Sequence, residues 1–377
     1  MKILEIISDT NIGGAGRVLI ERLEKSSFDG YEFAVLLPRN SALKERLEAI
    51  NVSVFEFDGC ADRSFDAGAI FELKNIIREL SPEVINAHGC LSARIAAALA
   101  RVPVRIYTRH CTYPVPRILR SFPIKQAQGI FGALLSPHAI AVADAAKEDL
   151  VSMGYPEERI RVIINGVGGF QKFSDGKRAE LREAAGLSGR FVVGISARVE
   201  RCKDHECFIR AAKLLSSDDR YRFVIMGTGS ELENIKSLSR ELGIHEKIIF
   251  TGFCEDVEAW LNCFDLNVNC SVGTETSSLA LSEGMSIGLP AVASDYGGNT
   301  YMVHHGEQGF IYKKGNFCEL AKMISKIADS PKLYRKMSEA AYRRFCEELN
   351  SDRMSEDTLA FYRELYEERC GERALTE

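Results

Sequence analysis

Residues 191–215 read FVVGISARVERCKDHECFIRAAKLL, and the pattern changes midway along them. The stretch 191–196 is a short, uncharged, largely β-branched and apolar run, as expected of a strand buried on both faces. A helical pattern begins near Asp204. A strand that passes through a polar loop into a helix is the repeating unit of a doubly wound α/β sheet, whose ligands bind beyond the carboxyl ends of the strands. The polar loop holds Arg198 and Lys203, five residues apart. Both cations can reach one point above the sheet, where a diphosphate would accept charge-assisted hydrogen bonds worth about 1.5–3 kcal/mol each. Glu200, Arg201, Asp204 and Glu206 share the loop, so an ordinary solvated charged turn is the plain alternative.

The same alternation extends in both directions. Upstream, residues 1–7, 33–37, 52–57, 84–87, 104–108 and 139–143 read as strands, separated by periodic segments such as 65–80. The pattern pauses over the glycine-rich, charged stretch 165–186, then resumes with strands at 191–196, 223–226, 247–251, 266–270 and 291–294. From Phe317 onward the chain is helical and charged. The 377 residues suit two domains at about 150 residues each. The expectation is an α/β protein of two Rossmann-like domains facing a central cleft. The first spans 1–167, with a C-terminal helix at 352–377 packing back onto it, and the second spans 168–351.

Composition narrows the function. With 48 basic and 53 acidic residues the net charge is −5, which gives no whole-protein basis for binding nucleic acid. The opening MKILEIISDT lacks the apolar core and small-residue cleavage site of a signal peptide. No apolar run reaches the roughly 18 residues of a spanning helix. Eleven cysteines without a Cys-x-x-Cys pair fit reduced thiols. A cytoplasmic location follows, either free or on the inner face of the cell membrane.

Two further loops stand at expected strand ends. Residues 8–23, SDTNIGGAGRVLIERL, place Gly13, Gly14 and Gly16 where a strand enters a helix, so a backbone can approach an anion at the positive helix end. Residues 274–284, TETSSLALSEG, set Thr276, Ser277 and Ser278 ahead of Leu279 at the start of a helix expected over 277–287. Unpaired amides there suit phosphate oxygens. Glu275 precedes that helix and Glu283 lies eight residues on, about 12 Å of helical rise. That is too far for an acid and base acting on one bond. Two acceptors gripping the hydroxyls of one extended ligand, with a diphosphate between them, fit better.

Glu275 and Glu283 in a Glu-x7-Glu pattern, followed by GLPAVASDYGG, resemble the retaining glycosyltransferases of family 4, which have the GT-B fold. NIGGAGR, YTRH, ADAAKEDLVSMGYPEERIRVIINGV, SARVERCK and VIMGTGSE extend the likeness over almost the whole chain. The resemblance implies transfer of a hexose-type sugar from a nucleoside diphosphate sugar, a UDP-sugar first among the candidates, to an acceptor hydroxyl in cell-surface polysaccharide or glycolipid assembly. It implies that Arg198 and Lys203 bind the diphosphate, Glu275 the sugar and Glu283 the ribose, with His110 lining the reaction centre. Gly14, Gly16, Thr276, Ser277, Ser278 and Leu279 complete the implied donor set. No cofactor and no metal are expected, since the chain has no Asp-x-Asp and His304–His305 lack further ligands at metal spacing. A nucleotide-sugar epimerase and a non-catalytic sugar-nucleotide-binding partner are the alternatives. Tyr301, Asp204 and Gly168 stand where relatives often carry glutamate, glycine and aspartate.

One region stands apart from the resemblance. Residues 84–143 contain no Asp or Glu, while Arg94, Arg101, Arg105, Arg109, Arg117, Arg120 and Lys125 are basic. Tyr113, Ile118, Leu119, Phe122, Ile124 and Phe131 are interleaved with them, as in a segment lying on an anionic membrane or meeting a lipid-linked acceptor. His88 and His138, at strand boundaries, read as structural.

Overall fold

The computed structural model describes residues 1–25, 30–112 and 117–374. It divides into two units, Met1–Gly168 with Ser351–Glu377, and Gly169–Asn350.

The first unit is built on β1 (Lys2–Ile7), β2 (Glu32–Pro38), β3 (Ser53–Phe57), β4 (Val84–His88), β5 (Val104–Arg109), β6 (His138–Ala141) and β7 (Ile160–Val162). All pairings are parallel, in the order β3-β2-β1-β4-β5-β6-β7. The order reverses between β1 and β4, and their carboxyl ends therefore flank the crevice where such sheets hold ligands. Leu4 and Ile6 of β1 and Ile85 and Ala87 of β4 pack with Leu73, Ile77, Ala93 and Ala97 from the covering helices. The long C-terminal helix Ser351–Ala374 belongs to this unit. Tyr362 from that helix reaches Glu5 on β1, and Arg161 and Glu364 form an ion pair at 2.8 Å.

The second unit repeats the plan with β8 (Phe191–Ser196), β9 (Tyr221–Met226), β10 (Ile248–Gly252), β11 (Leu266–Asn269), β12 (Ala291–Ser294) and β13 (Gly309–Tyr312). The sheet is parallel, in the order β10-β9-β8-β11-β12-β13, with its reversal between β8 and β11. Val193, Ile195, Phe208, Phe223, Leu266, Val268 and Ile324 form the centre of its core.

Two strands, β7 and β13, were not expected. They span three and four residues at one edge of each sheet, too short for a periodic signal, and are held by pairing with β6 and β12. The helix expected over 277–287 begins later, at Leu279, because Ser278 is its cap. Among the described residues the cysteines form no disulfide.

Candidate active site

The loop after β8 carries Arg198 and Lys203. Its backbone is held by the turn after β9: the Ala197 amide donates to the Met226 carbonyl at 3.0 Å and Val199 to Thr228 at 2.8 Å. Gly227 permits this approach. Its φ is +140°, and a Cβ would lie 2.1 Å from the Ala197 oxygen. The Gly-x-Gly of VIMGTGSE thus supports the Arg198 loop. Asp204 adopts φ +47° and accepts from the Cys207 amide at 3.2 Å. It takes the left-handed turn that suits glycine and also caps the helix His205–Leu215.

The Cys202 carbonyl accepts from the Val272 amide at 2.8 Å and the Gly273 amide at 3.2 Å, tying this loop to the one after β11. The tie brings Lys203 to Glu275, a pairing the spacing did not foretell. Lys203 Nζ donates to Glu275 Oε2 at 2.6 Å, and the same oxygen accepts from Ser271 Oγ at 2.6 Å and Asn269 Nδ2 at 3.1 Å. Glu275 is 5% exposed. Burial pushes its carboxyl up, but the Lys203 ammonium and the Ser271 and Asn269 donors outweigh burial, so it lies below the ordinary carboxylate range. Glu275 is therefore an ionised, acceptor-only group at neutral pH. Its Oε1 takes no hydrogen bond among the described residues.

Asn269 Nδ2 also donates to Ser278 Oγ at 3.0 Å, and Ser278 Oγ accepts from the Leu281 amide at 3.4 Å. This fixes the start of the helix Leu279–Ser286, whose first amides, Leu279 and Ala280, have no intrahelical acceptor. Thr276 and Ser277 are buried in the loop before the cap instead of in the first turn. The turn after β12 holds that loop: the Gly298 amide donates to the Glu275 carbonyl at 3.3 Å, and a Cβ at Gly298 would fall 1.5 Å from the Thr276 oxygen. Glu283 is buried on the helix, four residues past Leu279, about 6 Å of rise. The expected 12 Å of helix is thus half loop. Lys203, Asn269, Ser271, Ser278 and Ala280 line one pocket at the ends of β8 and β11.

Arg198 is not drawn into this cluster. It stands exposed, and its guanidinium makes no hydrogen bond or ion pair among the described residues. Tyr301 donates to Glu348 Oε2 at 2.7 Å, and the Arg344 guanidinium lies 4.8 Å from its ring centre.

In the first unit, His110 follows β5. Its Nε2 lies 2.7 Å from His88 Nδ1 and the rings stack at 5.0 Å. Burial, then the neighbouring His88 and Arg22, hold His110 well below the usual histidine range. Gly14 opens the helix Gly14–Lys25 with free space where a Cβ would be. Gly16 packs against Leu43, where a Cβ would come within 2.5 Å of Cδ2, so helix packing accounts for its small size.

The sequence reading missed Asn269 and Ser271 around Glu275, and Glu5, Arg22 and Asn86 around His88. A signal was present. Glu5 interrupts KILEII, and Asn86 and His88 alternate in VINAH, as Asn267 and Asn269 do in LNVN. A polar side chain in a strand covered on both faces must find a partner.

Two parallel α/β units, each with its loops gathered at a sheet reversal and one carrying a buried carboxylate paired with a half-buried ammonium, define a group-transfer enzyme of the GT-B type. Residues 12–168 match the model of Glycosyltransferase Family 4 and residues 177–344 that of Glycosyl transferases group 1, and the chain is a GT-B glycosyltransferase. It is 23% identical over 84% of its length to the UDP-Gal:alpha-D-GlcNAc-diphosphoundecaprenol alpha-1,3-galactosyltransferase of Escherichia coli, covering 85% of that protein. It is 22% identical to the N-acetyl-alpha-D-glucosaminyl L-malate synthase of Bacillus anthracis, over 96% of this chain and 97% of the relative. Among solved structures, the Anabaena protein HepE in complex with UDP superposes with a TM-score of 0.83 at 22% identity, covering 97% of this chain and all of HepE.

Proposed function

We propose that the enzyme moves a sugar from a UDP-sugar to an acceptor hydroxyl with retention of anomeric configuration, the second unit holding the donor and the first the acceptor. The observation that carries this reading is the Glu275 carboxylate. Three donors, the Lys203 ammonium among them, hold Oε2 and leave Oε1 for a sugar hydroxyl, with the Leu279 amide end of a helix close by in the chain. A carboxylate, an ammonium and helix amides together match a polyhydroxyl joined to a diphosphate. Support for the donor comes from HepE, solved with UDP, and from the Escherichia coli relative, named for UDP-Gal.

In this reading Arg198, Lys203 and the Leu279 and Ala280 amides stabilise charge as it grows on the departing diphosphate, and the diphosphate takes the acceptor proton. Glu275 orients the donor sugar, Glu283 holds the ribose and His110 contacts the reacting sugar. No protein nucleophile takes part. The test is incubation with UDP-sugars, with and without hydroxyl acceptors, and proton NMR of the product. An α-linked product from an α-donor, formed only with acceptor, is expected. Free sugar released without acceptor would instead mark an epimerase, and binding without turnover a sensor.

The finer proposal places the acceptor on a lipid at a membrane surface. The structure revises the cationic patch expected there. Arg94 donates to the Gly132 carbonyl, Arg105 to the Leu135 and Val102 carbonyls, and Arg109 pairs with Asp149, so these three serve the interior. Tyr113 and the side chains of Arg117 and Leu119 lie outside the described residues. What remains is more apolar. Ile130, Phe131 and Leu134 emerge from one face of the helix Ile124–Leu135, beside exposed Ile118 and Phe122, the last 80% exposed. Arg120 and Lys125 border them in sequence. Such a face suits the boundary between headgroups and acyl chains.

A further inference from the structure

The first unit has a basic pocket that the proposed chemistry does not use. It lies at the amino-terminal ends of β5 and β6, has a volume of about 340 Å³, and is lined by Arg105 and His138 from those strands together with Arg159, Glu368 and Arg369. The length of β5, about 17 Å, separates it from His110. Three guanidiniums thus surround one cavity with a single carboxylate. Burial, and then repulsion from Arg369, lower Arg105 from its ordinary value, so the like charges act on one another.

We propose that this pocket binds a phosphate group, carried either by a phospholipid at a membrane surface or by a soluble phosphate ester.

The Arg105 guanidinium is held in place by carbonyls. Its Nε donates to Leu135 at 2.9 Å, its Nη1 to Val102 at 2.9 Å and its Nη2 to Leu134 at 3.2 Å. These bonds use three of its five N–H groups and leave two. The Arg159 side chain makes no hydrogen bond or ion pair among the described residues, and neither does that of Glu368, so Glu368 neutralises none of the three arginines by contact. A phosphate monoester brings about two negative charges, and its oxygens accept the paired N–H groups of guanidinium forks. The surroundings favour a lipid as the carrier. Leu134, whose carbonyl Arg105 holds, is 66% exposed and belongs to the apolar face of the helix Ile124–Leu135. The pocket and the face proposed to enter the membrane meet at this residue, and headgroup phosphates lie at the boundary such a face occupies.

Calorimetry of the full chain with glycerol 3-phosphate tests the soluble ester, and sedimentation with phosphatidylcholine vesicles, with and without phosphatidic acid, tests the lipid. Binding is expected in at least one of the two, and with vesicles it should be strongest when phosphatidic acid is present. Where binding occurs, Arg159→Ala should weaken it about tenfold, the equivalent of one charge-assisted hydrogen bond. Glu368→Gln removes the one carboxylate and should strengthen it about twofold or more. Arg46 is an exposed arginine outside the pocket, so Arg46→Ala makes the same change in net charge and should stay within about twofold of the wild type. No binding to either probe, or equal losses in Arg159→Ala and Arg46→Ala, would reject the site. Only the choice of a lipid carrier rests on the membrane reading: glycerol 3-phosphate bound without any vesicle binding would contradict that reading and uphold the pocket as a phosphate site.

Discussion

Glu275 and Lys203 hold each other, with Nζ 2.6 Å from Oε2, and this sets what each substitution does. Glu275→Gln keeps an acceptor oxygen but removes the charge. Lys203 then loses its partner and remains free to meet a phosphate. Affinity for UDP should stay within about threefold while transfer falls by about 10²–10³, the usual loss when one preorganised polar contact to the reacting group is removed. Calorimetry with UDP beside turnover measurements checks this, and parallel losses would assign Glu275 to the diphosphate. His205 gives a second expectation, for stability. It is 2% exposed, and burial followed by repulsion from Lys203 lowers its pKa from 6.5 to about 4. The unfolded chain binds this proton at higher pH than the folded one, so stability rises with pH across that window and falls on acidification below about 6.5. His110 is depressed in the same direction. Replacing His205 by Leu should remove about 2 kcal/mol of the stability lost by the wild type between pH 7 and 5. Urea unfolding at the two pH values measures it, and an identical loss in both proteins would contradict the assignment.

The elements divide into those whose sequence pattern announced them and those that depend on their neighbours. Apolar β-branched runs marked the eleven strands other than β7 and β13, because burial on both faces leaves little choice of residue. The two short edge strands carried no such signal and exist through pairing with β6 and β12. Arg198, Lys203 and Glu275 were legible as charges in loops after strands. Their partners were not, since the Lys203–Glu275 contact arises from Cys202 pairing with Val272 and Gly273 across two loops. Glycines show the same division. Gly14 and Gly298 both occur in glycine pairs at helix starts, yet open space surrounds the first and the Thr276 carbonyl would meet a Cβ on the second at 1.5 Å. Gly298→Ala should therefore lower stability by about 2 kcal/mol or more, as overpacking against backbone does, and weaken activity with it. Gly14→Ala should leave stability unchanged or raise it, by up to about 1 kcal/mol. Denaturant midpoints of the two variants provide the comparison, and equal effects would mean that the loop after β12 does not support Glu275.

For the whole molecule, a net charge of −5 coexists with sixty consecutive acid-free residues, 84–143. Among the described residues no helix is long and apolar enough to cross a membrane. The exposed face of Phe122, Ile130, Phe131 and Leu134 should instead make binding to anionic vesicles depend on both apolar contact and charge. Changing Phe131 and Leu134 together to Ser should cut vesicle sedimentation at least tenfold, and wild-type binding should weaken as salt rises, with donor binding unaffected. No sedimentation of the wild-type protein at low salt would leave a soluble acceptor. The central claim is that the loops after β8 and β11 in the second unit grip a nucleoside diphosphate. Titration calorimetry of UDP against the wild type, Arg198→Ala and Lys203→Ala tests it most directly. Each substitution should weaken binding by about 10- to 100-fold, the equivalent of one charge-assisted hydrogen bond, with the thermal midpoint of the unliganded protein little changed for exposed Arg198. Wild-type affinity in both variants would contradict the account.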